Sequence, residues 1–495
     1  MEVLDTAIAA VILPYIAGSL SASTDEATWV LTSYLVANAV VLPASSWFAL
    51  KFGRRNFLIS CIAIFTVASF FCGAAQNLGM ILLARTIQGA GGGALQPLSQ
   101  SILLESFPPQ KRGAAMALFA LGVVVAPVLG PTLGGWLTEQ YSWRWAFYIN
   151  LPVGVLATFM IMRFVKDPPY IKSAQPGRID AFGLGLLAVW IGTLQVILDK
   201  GQEDDWFGAV WIRWAAVLLV IALVAFLVRE FKAHNPIVNL RIFSDRNFAM
   251  GCILICAVGA VLYGMVTLLP LFYQTLMNYT AWAAGLAVSP RGIGAILIMP
   301  VVGVLTGKVD NRYLIAAGFV IFGWCAWIMS NLTLELSQWS LLWPIIFSGV
   351  GTGLMFVPLS TTAVATLRNE QIGNASGLFN LLRNIGGSIG ISVTETLLSR
   401  RQQVHRSELS RYLAPGGIVH QSLLRLESYM SLHAGPRLAR LRAYAVLQGS
   451  LNQQSVLYSY VDDFRYFVIV CALCVPLVFL VRPAKAKRGA AMAGH

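Results

Sequence analysis

The sequence predicts an all-α polytopic membrane protein, and three observations carry that expectation. Hydrophobic residues make up 57% of the 495 residues and charged residues only 12%, against about 25% charged in soluble domains. The apolar residues lie in blocks of roughly 18–25 residues, the length a helix needs to cross about 30 Å of hydrocarbon. The remaining charge is gathered in short loops between the blocks. Blocks this long leave helices, not a closed barrel, to satisfy the backbone inside lipid.

Taken in order, full-length spans fall near 28–48, 57–76, 79–104, 114–137 and 145–165, then 181–198 and 211–230. A second series follows near 248–273, 283–306, 313–331, 340–364, 375–398 and 464–481, and residues 1–18 read as an incomplete first span. Orientation follows from the basic loops. Lys51, Arg54 and Arg55, then Lys111 and Arg112, then Lys166, Lys172 and Arg178 mark alternate loops. Lys232, Arg241 and Arg246, Lys308 and Arg312, and Arg368 continue the series, and Arg482, Lys485, Lys487 and Arg488 mark the tail. These loops and the C-terminus are expected in the cytoplasm. Residues 399–463 are external by parity despite their arginines, because long segments cross largely regardless of charge. They read as a small external subdomain or a disordered loop.

The net charge of +13 is spread over these loops with no basic stripe, which excludes nucleic acid as a partner. All seven cysteines fall inside apolar blocks; Cys471 and Cys474 have CxxC spacing but no further ligand, which favours packing over metal. None of the five histidines (His234, His405, His420, His433, His495) lies in a span, so any proton chemistry falls to carboxylates. No cleavable signal is expected, since Met1 leads almost directly into apolar sequence with no basic segment before it.

Three stretches exceed what lipid packing requires. The first is Leu4-Asp5-Thr6 with Pro14. A carboxylate on a membrane helix is costly and usually faces a cavity, so Asp5 is the first candidate proton binder, and Glu2, one turn earlier on nearly the same face, the second. The next is Arg85-Thr-Ile-Gln88-Gly89, followed by Gly91, Gly92, Gly93, Gln96 and Gln100. Arg85 is the natural partner of a first-helix carboxylate, Gln88 shares its face, and the glycines permit close helix approach. In the last, Gly130, Pro131, Gly134 and Gly135 combine a kink with a smooth groove, a hinge and seal. Arg291, Arg383 and Glu395 are each either helix-end residues that reach for the interface or pathway residues of the second half. A faint repeat, Ser46 to Arg55 against Gly303 to Arg312, fits two related halves with a substrate site between them.

In this order the motifs resemble the major facilitator superfamily, specifically the fourteen-helix drug:proton antiporters of the EmrB/QacA type. Leu4-Asp5-Thr6, Arg85-x-x-Gln88-Gly89 and Gly130-Pro131-x-x-Gly134-Gly135 are similar to motifs of that branch, the last being characteristic of its exporters. Pro108-Pro109-Gln110-Lys111-Arg112, the stretch Trp143 to Pro152, and Asn235 to Val238 are similar as well. The resemblance implies a major facilitator fold of fourteen transmembrane helices. Residues 1–165 would be an N-terminal six-helix bundle with its first helix incomplete, and 166–247 two extra helices with flanking cytoplasmic loops. Residues 248–481 would be a C-terminal six-helix bundle including the periplasmic segment 399–463, and 482–495 a basic cytoplasmic tail.

Lys51, Gly53, Arg54 and Arg55 are similar to the family's cytoplasmic loop gate, but Ser46 and Leu50 stand where that motif has Gly and Asp. The acid that helps latch the gate must come from elsewhere, or the basic residues face helix C-termini and anionic lipid. Family members begin the first helix well before Leu-Asp-Thr, so Met1 is expected to be internal to a longer chain.

The function implied is proton-coupled export of apolar or amphipathic compounds at the bacterial inner membrane, with no cofactor beyond the proton gradient. Asp5 and Glu2 would carry the proton, Arg85 and Gln88 would tune it, and membrane lipids would surround the spans. Aromatic and methionine side chains would line an adaptable cavity for lipophilic small molecules. A periplasmic adaptor (a membrane fusion protein) and an outer-membrane channel would complete a tripartite pump. The alternatives are a dedicated metabolite or siderophore transporter of the same fold, and a membrane-embedded enzyme. The enzyme requires a catalytic cluster of His, Asp or Glu at the interface, and Asp204-Asp205 is an isolated acidic pair in a short outer loop.

Overall fold

The computed structural model describes residues 1–108, 111–172, 180–233, 236–306, 308–333, 338–412, 418–432 and 435–482. Pro109, Gln110, Arg178, His234, Asn235, His433, Lys485, Lys487, Arg488 and His495, on which parts of the sequence reading rest, lie outside the described residues. Within them the chain is helical, and no strand forms. The first series comprises α1 (Glu2–Ser19), α2 (Thr24–Phe52), α3 (Arg54–Gly73), α4 (Leu78–Gly92), α5 (Leu95–Ser106) and α6 (Arg112–Gln140). It continues with α7 (Trp145–Tyr148), α8 (Asn150–Phe164) and the short α9 (Pro169–Lys172), then α10 (Ala181–Lys200) and α11 (Val210–Lys232). The second series comprises α12 (Arg246–Thr275), α13 (Ala281–Val288), α14 (Pro290–Leu305), α15 (Asn311–Met329), α16 (Gln338–Val364) and α17 (Asn369–Arg411). Two more helices close it, α18 (Ile418–Ser431) and α19 (Pro436–Val478).

Polar loop residues start these helices by satisfying their free N–H groups. Ser23 and Glu26 form a reciprocal capping box at α2, and Asn77, Asp180, Asp245 and Asp310 cap α4, α10, α12 and α15. The hydrogen bond from Arg229 holds the Asp180 carboxyl below the ordinary aspartate range. Eleven spans among the described residues are long and apolar enough to cross a membrane. They include the 18 residues of α1, so the segment expected to be incomplete forms a helix of crossing length. α4, α5, α17 and α19 are not among the eleven.

Two differences from the expected spans have physical causes. The block 79–104 is not one helix but breaks at Gly93 and Ala94. A Cβ on Gly89 would lie 2.3 Å from the Tyr34 carbonyl oxygen, and one on Gly93 2.4 Å from that of Asn38. The glycines that weaken the helix are thus the ones that let α2 approach. Residues 399–463, expected as a small external subdomain or a loop, are helical in their described part, with α17 and α19 running into it at 43 residues each. At 1.5 Å per residue each reaches roughly 65 Å, far beyond the hydrocarbon core, and α18 packs on α19.

α1, α2, α3, α4, α6 and α8 pack as one group, and α12, α14, α15, α16, α17 and α19 as another. The groups meet where α6 lies on α13, α14 and α16, and where α2 and α5 lie on α17. α10 joins this seam: Thr32 of α2 donates to Asp199 at 2.8 Å, and Ser388 of α17 donates to Gln195 at 2.9 Å. Outward faces are apolar, as on α11, where Trp214, Val220 and Ile221 are exposed.

Candidate functional site

α1 buries Glu2 and Asp5 along with Ile8, Ile12 and Ile16, because residues three and four apart share a helix face. Arg85 and Gln88 repeat that spacing on α4, and both are fully buried. The four residues predicted as a proton-coupling set do not converge equally. Arg85 Nη1 donates to Asp5 Oδ2 at 2.6 Å and to Gln88 Oε1 at 2.8 Å, and its Nε donates to the Val30 carbonyl at 3.0 Å. The guanidinium also lies 4.2 Å from the Tyr34 ring centroid, a cation–π contact. Gln88 Nε2 donates to Asp5 Oδ1 at 3.1 Å, and Asn150 Nδ2 donates to the same oxygen at 2.6 Å. Ser69 Oγ accepts from both amides and donates to the Phe147 carbonyl. Both Asp5 oxygens therefore accept, Oδ1 from two donors and Oδ2 from one. Glu2 stands apart: Oε1 accepts from Asn38 Nδ2 at 2.8 Å, and Oε2 has no partner.

The hinge residues touch this helix directly. A Cβ on Gly130 would lie 2.4 Å from Ala7 Cβ, and one on Gly134 3.1 Å from Ile8 Cγ2. Gly135 is buried and Pro131 half-buried within the continuous α6. On its other side α6 meets the second group, where a Cβ on Gly285 would lie 2.9 Å from Thr132 Oγ1. α6 is thus clamped between the acid-bearing helix and the opposite half.

The loop-gate residues form a second polar cluster at the end where α2 stops and α3, α6, α15 and α17 begin. Gly53 joins α2 to α3 with φ +82°, a backbone that L side chains rarely adopt. The missing acid is supplied from distant sequence. Arg54 Nη2 donates to Glu105 Oε1 at 2.9 Å, and Arg55 N–H donates to Asp167 Oδ1 at 2.9 Å. Tyr170 accepts from Arg54 and donates to Glu105 at 2.8 Å; burial pushes its phenol up, so the O–H is retained. Arg55 Nη2 donates to the Met162 carbonyl at 2.5 Å, near the C-terminus of α8, in keeping with the alternative of a helix end. Lys51 is exposed in the last turn of α2. Glu105→Ala leaves Arg54 buried without its acid and is expected to cost on the order of 3 kcal/mol, read as a lower melting temperature, with Glu105→Gln milder.

Of the charges left open by sequence, Arg291 and Arg383 are fully buried and do not reach for an interface. Arg291 donates to Thr352 at 3.3 Å and faces Phe322; Arg383 donates to Gln96 and Asn384 and faces Phe356. Glu395 is half-buried in α17, near Asp199 and Glu203. Sequence reasoning missed Asn38, Ser69 and Asn150 as partners, although Asn150 lies within the stretch from Trp143 to Pro152. It also missed Asp463, fully buried with neither oxygen partnered, because that residue was placed just ahead of the last span. A groove of about 620 Å³ on α3 and α4, lined by Ile64, Val67, Phe71, Leu83 and Ile87, is apolar and faces outward, so it is a lipid-facing crevice.

The fatty acid resistance protein FarB of Neisseria gonorrhoeae is 37% identical over 484 residues, 98% of this chain and 94% of its own. The multidrug export protein EmrB of Escherichia coli (strain K12) is 39% identical over 417 residues, 84% of this chain and 81% of its own. Among solved structures, the human organic anion transporter MFSD10 (TETRAN) superposes with a TM-score of 0.57 at 12% identity, covering 95% of this chain and 97% of that one. A bacterial homologue of the human lysosomal transporter Spinster, inward-facing and unoccupied, gives 0.55 at 18%, covering 97% and 94%. These likenesses show the fold. With residues 1–391 matching the Major Facilitator Superfamily, the chain belongs to that superfamily of membrane transporters.

Proposed function

We propose that the chain exports apolar and amphipathic compounds in exchange for protons, by alternating access between its two helix groups. The observation that carries this reading is Asp5, a buried carboxylate whose partners Arg85, Gln88 and Asn150 come from α4 and α8. Such a residue inside a span is a functional-site candidate by default, proton relays among its roles, and α6 ties its helix to the opposite group. The relatives named for multidrug export and fatty acid resistance support drug-type efflux. The basic loops support a cytoplasmic C-terminus, and the likeness to bacterial exporters supports residence in the bacterial inner membrane. The long extensions of α17 and α19 would offer a periplasmic adaptor its docking surface, with an outer-membrane channel completing the pump.

The test is transport by the purified full chain in proteoliposomes under an imposed proton gradient, with a fluorescent lipophilic cation as cargo. Uphill movement that a protonophore abolishes is expected, with Asp5→Asn retaining downhill equilibration only. Wild-type transport indifferent to the gradient would overturn proton coupling.

A further inference from the structure

We propose that Glu2 and Arg383, on either side of Gln96, form a latch between the two helix groups that a proton on Glu2 releases. The proposal rests on the proton-coupled reading above and adds the step that links protonation to the movement of the halves.

Arg383 lies in α17, and its acceptors among the described residues are the Gln96 side-chain oxygen in α5 and Asn384 Oδ1 at 3.2 Å. Its Nε and Nη1 are buried without a partner. In α1, Glu2 uses one oxygen on Asn38 and leaves the other buried and unpartnered. Asn38, which holds Glu2, lies against Gly92 of α4, where a Cβ would meet its Nδ2 at 3.3 Å, and Gln96 follows about one turn on. One turn away, Asn380 donates to Gln100 Oε1 at 2.5 Å. The same α5–α17 seam thus carries two polar links side by side.

A guanidinium and a carboxylic acid, each half-satisfied in an apolar interior and facing through one glutamine, make a two-state element. Unpaired buried charge is costly, and a direct pair relieves it only when the acid is ionised. Ionised Glu2 gains by closing on Arg383 and drawing α1 onto α17. When a proton binds the free Oε2, the acid is neutral, that attraction is lost, and the halves are free to part. Release of the proton at the other face restores the carboxylate and the latch. Asp5 differs, because the donors on its two oxygens all come from its own half.

The groups facing Glu2 are few. Among the described residues α1 offers Asp5, α2 offers Asn38 and Tyr34, α5 offers Gln96 and α17 offers Arg383. Arg85 is engaged by Asp5, and α6 carries charge only at its ends, Arg112 and Glu139. The charge across the seam is therefore Arg383.

Paired spin labels on the exposed Ser106 and Glu370, one in each half, read the state of the seam in the full chain in nanodiscs. The distance distribution is expected to shift between two populations from mildly alkaline to mildly acidic pH. Glu2→Gln should hold the acidic population at both, and Arg383→Gln should do the same. Arg383→Lys should restore part of the pH response, which a merely structural role would not do. A pH shift that persists in Glu2→Gln, or none in wild type, overturns the latch. If wild type still exports against the gradient in either case, only the latch falls; if it does not, proton coupling falls as well.

Discussion

Arg85→Leu is expected to abolish export and to lower stability by about 3–5 kcal/mol, the usual cost of leaving one partner of a buried ion pair uncompensated. The guanidinium is fully buried and holds Asp5, Gln88 and the Val30 carbonyl together while lying on the Tyr34 ring. Without it, Asp5 keeps only the two amide donors, which orient a carboxylate but do not balance its charge. Removing both charges should therefore hurt less than removing one. The double variant Asp5→Asn/Arg85→Leu is expected to recover much of the lost melting temperature while remaining inactive. Arg85→Lys should fold better than Arg85→Leu but transport poorly, since a point charge does not reproduce a fork that serves three acceptors. Tryptophan fluorescence during heating measures the first quantity and proteoliposome transport the second. If the double variant melts no higher than Arg85→Leu, the cost lies in lost packing on Tyr34 instead of in the orphaned charge.

The part of this site that could be read from sequence is the part whose signal is energetic. Asp5 and Arg85 are conspicuous because charge in an apolar block demands a reason, and the spacing of Arg85 and Gln88 places them on one face. Asn38, Ser69 and Asn150 carry no such signal; small polar side chains are unremarkable in helices until a neighbour gives them a task. The acids of the loop gate were hidden for a different reason. Glu105 and Asp167 stand 51 and 112 positions from the arginines they serve, so only the fold brings them together. Gln96 and Gln100 were noted without a partner because theirs, Arg383 and Asn380, lie in the other half of the chain. Spans were legible from hydropathy, yet the break at Gly93 was not, since glycine and alanine keep a block apolar while the approach of α2 decides where its helix stops. The polarity of 399–463 predicts a segment outside the membrane but says nothing of its form. Continuity with α17 and α19 depends on those helices packing on one another.

Gly130→Leu is expected to abolish coupled export outright, and Gly130→Ala to impair it in a way that a second, remote change can repair. A Cβ at position 130 would sit 2.4 Å from Ala7 Cβ and 3.1 Å from its carbonyl carbon, well inside van der Waals contact. α6 cannot simply retreat, because α13 and α14 press on its other side. The displacement must fall on α1, where Asp5 is two residues away and held to Arg85 at 2.6 Å. Overpacking of this kind costs about 1–3 kcal/mol, but the functional loss should exceed the loss of stability because it acts on the proton site. Ala7→Gly removes the methyl that the new side chain meets, at about 1 kcal/mol of helix propensity. The pair Gly130→Ala/Ala7→Gly should therefore regain gradient-driven transport, which relief of the clash predicts and general destabilisation does not. Gly134→Ala, whose Cβ would lie 3.1 Å from the tip of Ile8, should be milder, since a side chain end can yield where a helix cannot. Normal coupling in Gly130→Ala would mean that α1 gives way freely, and that the tight seam with α6 does not hold Asp5 in place.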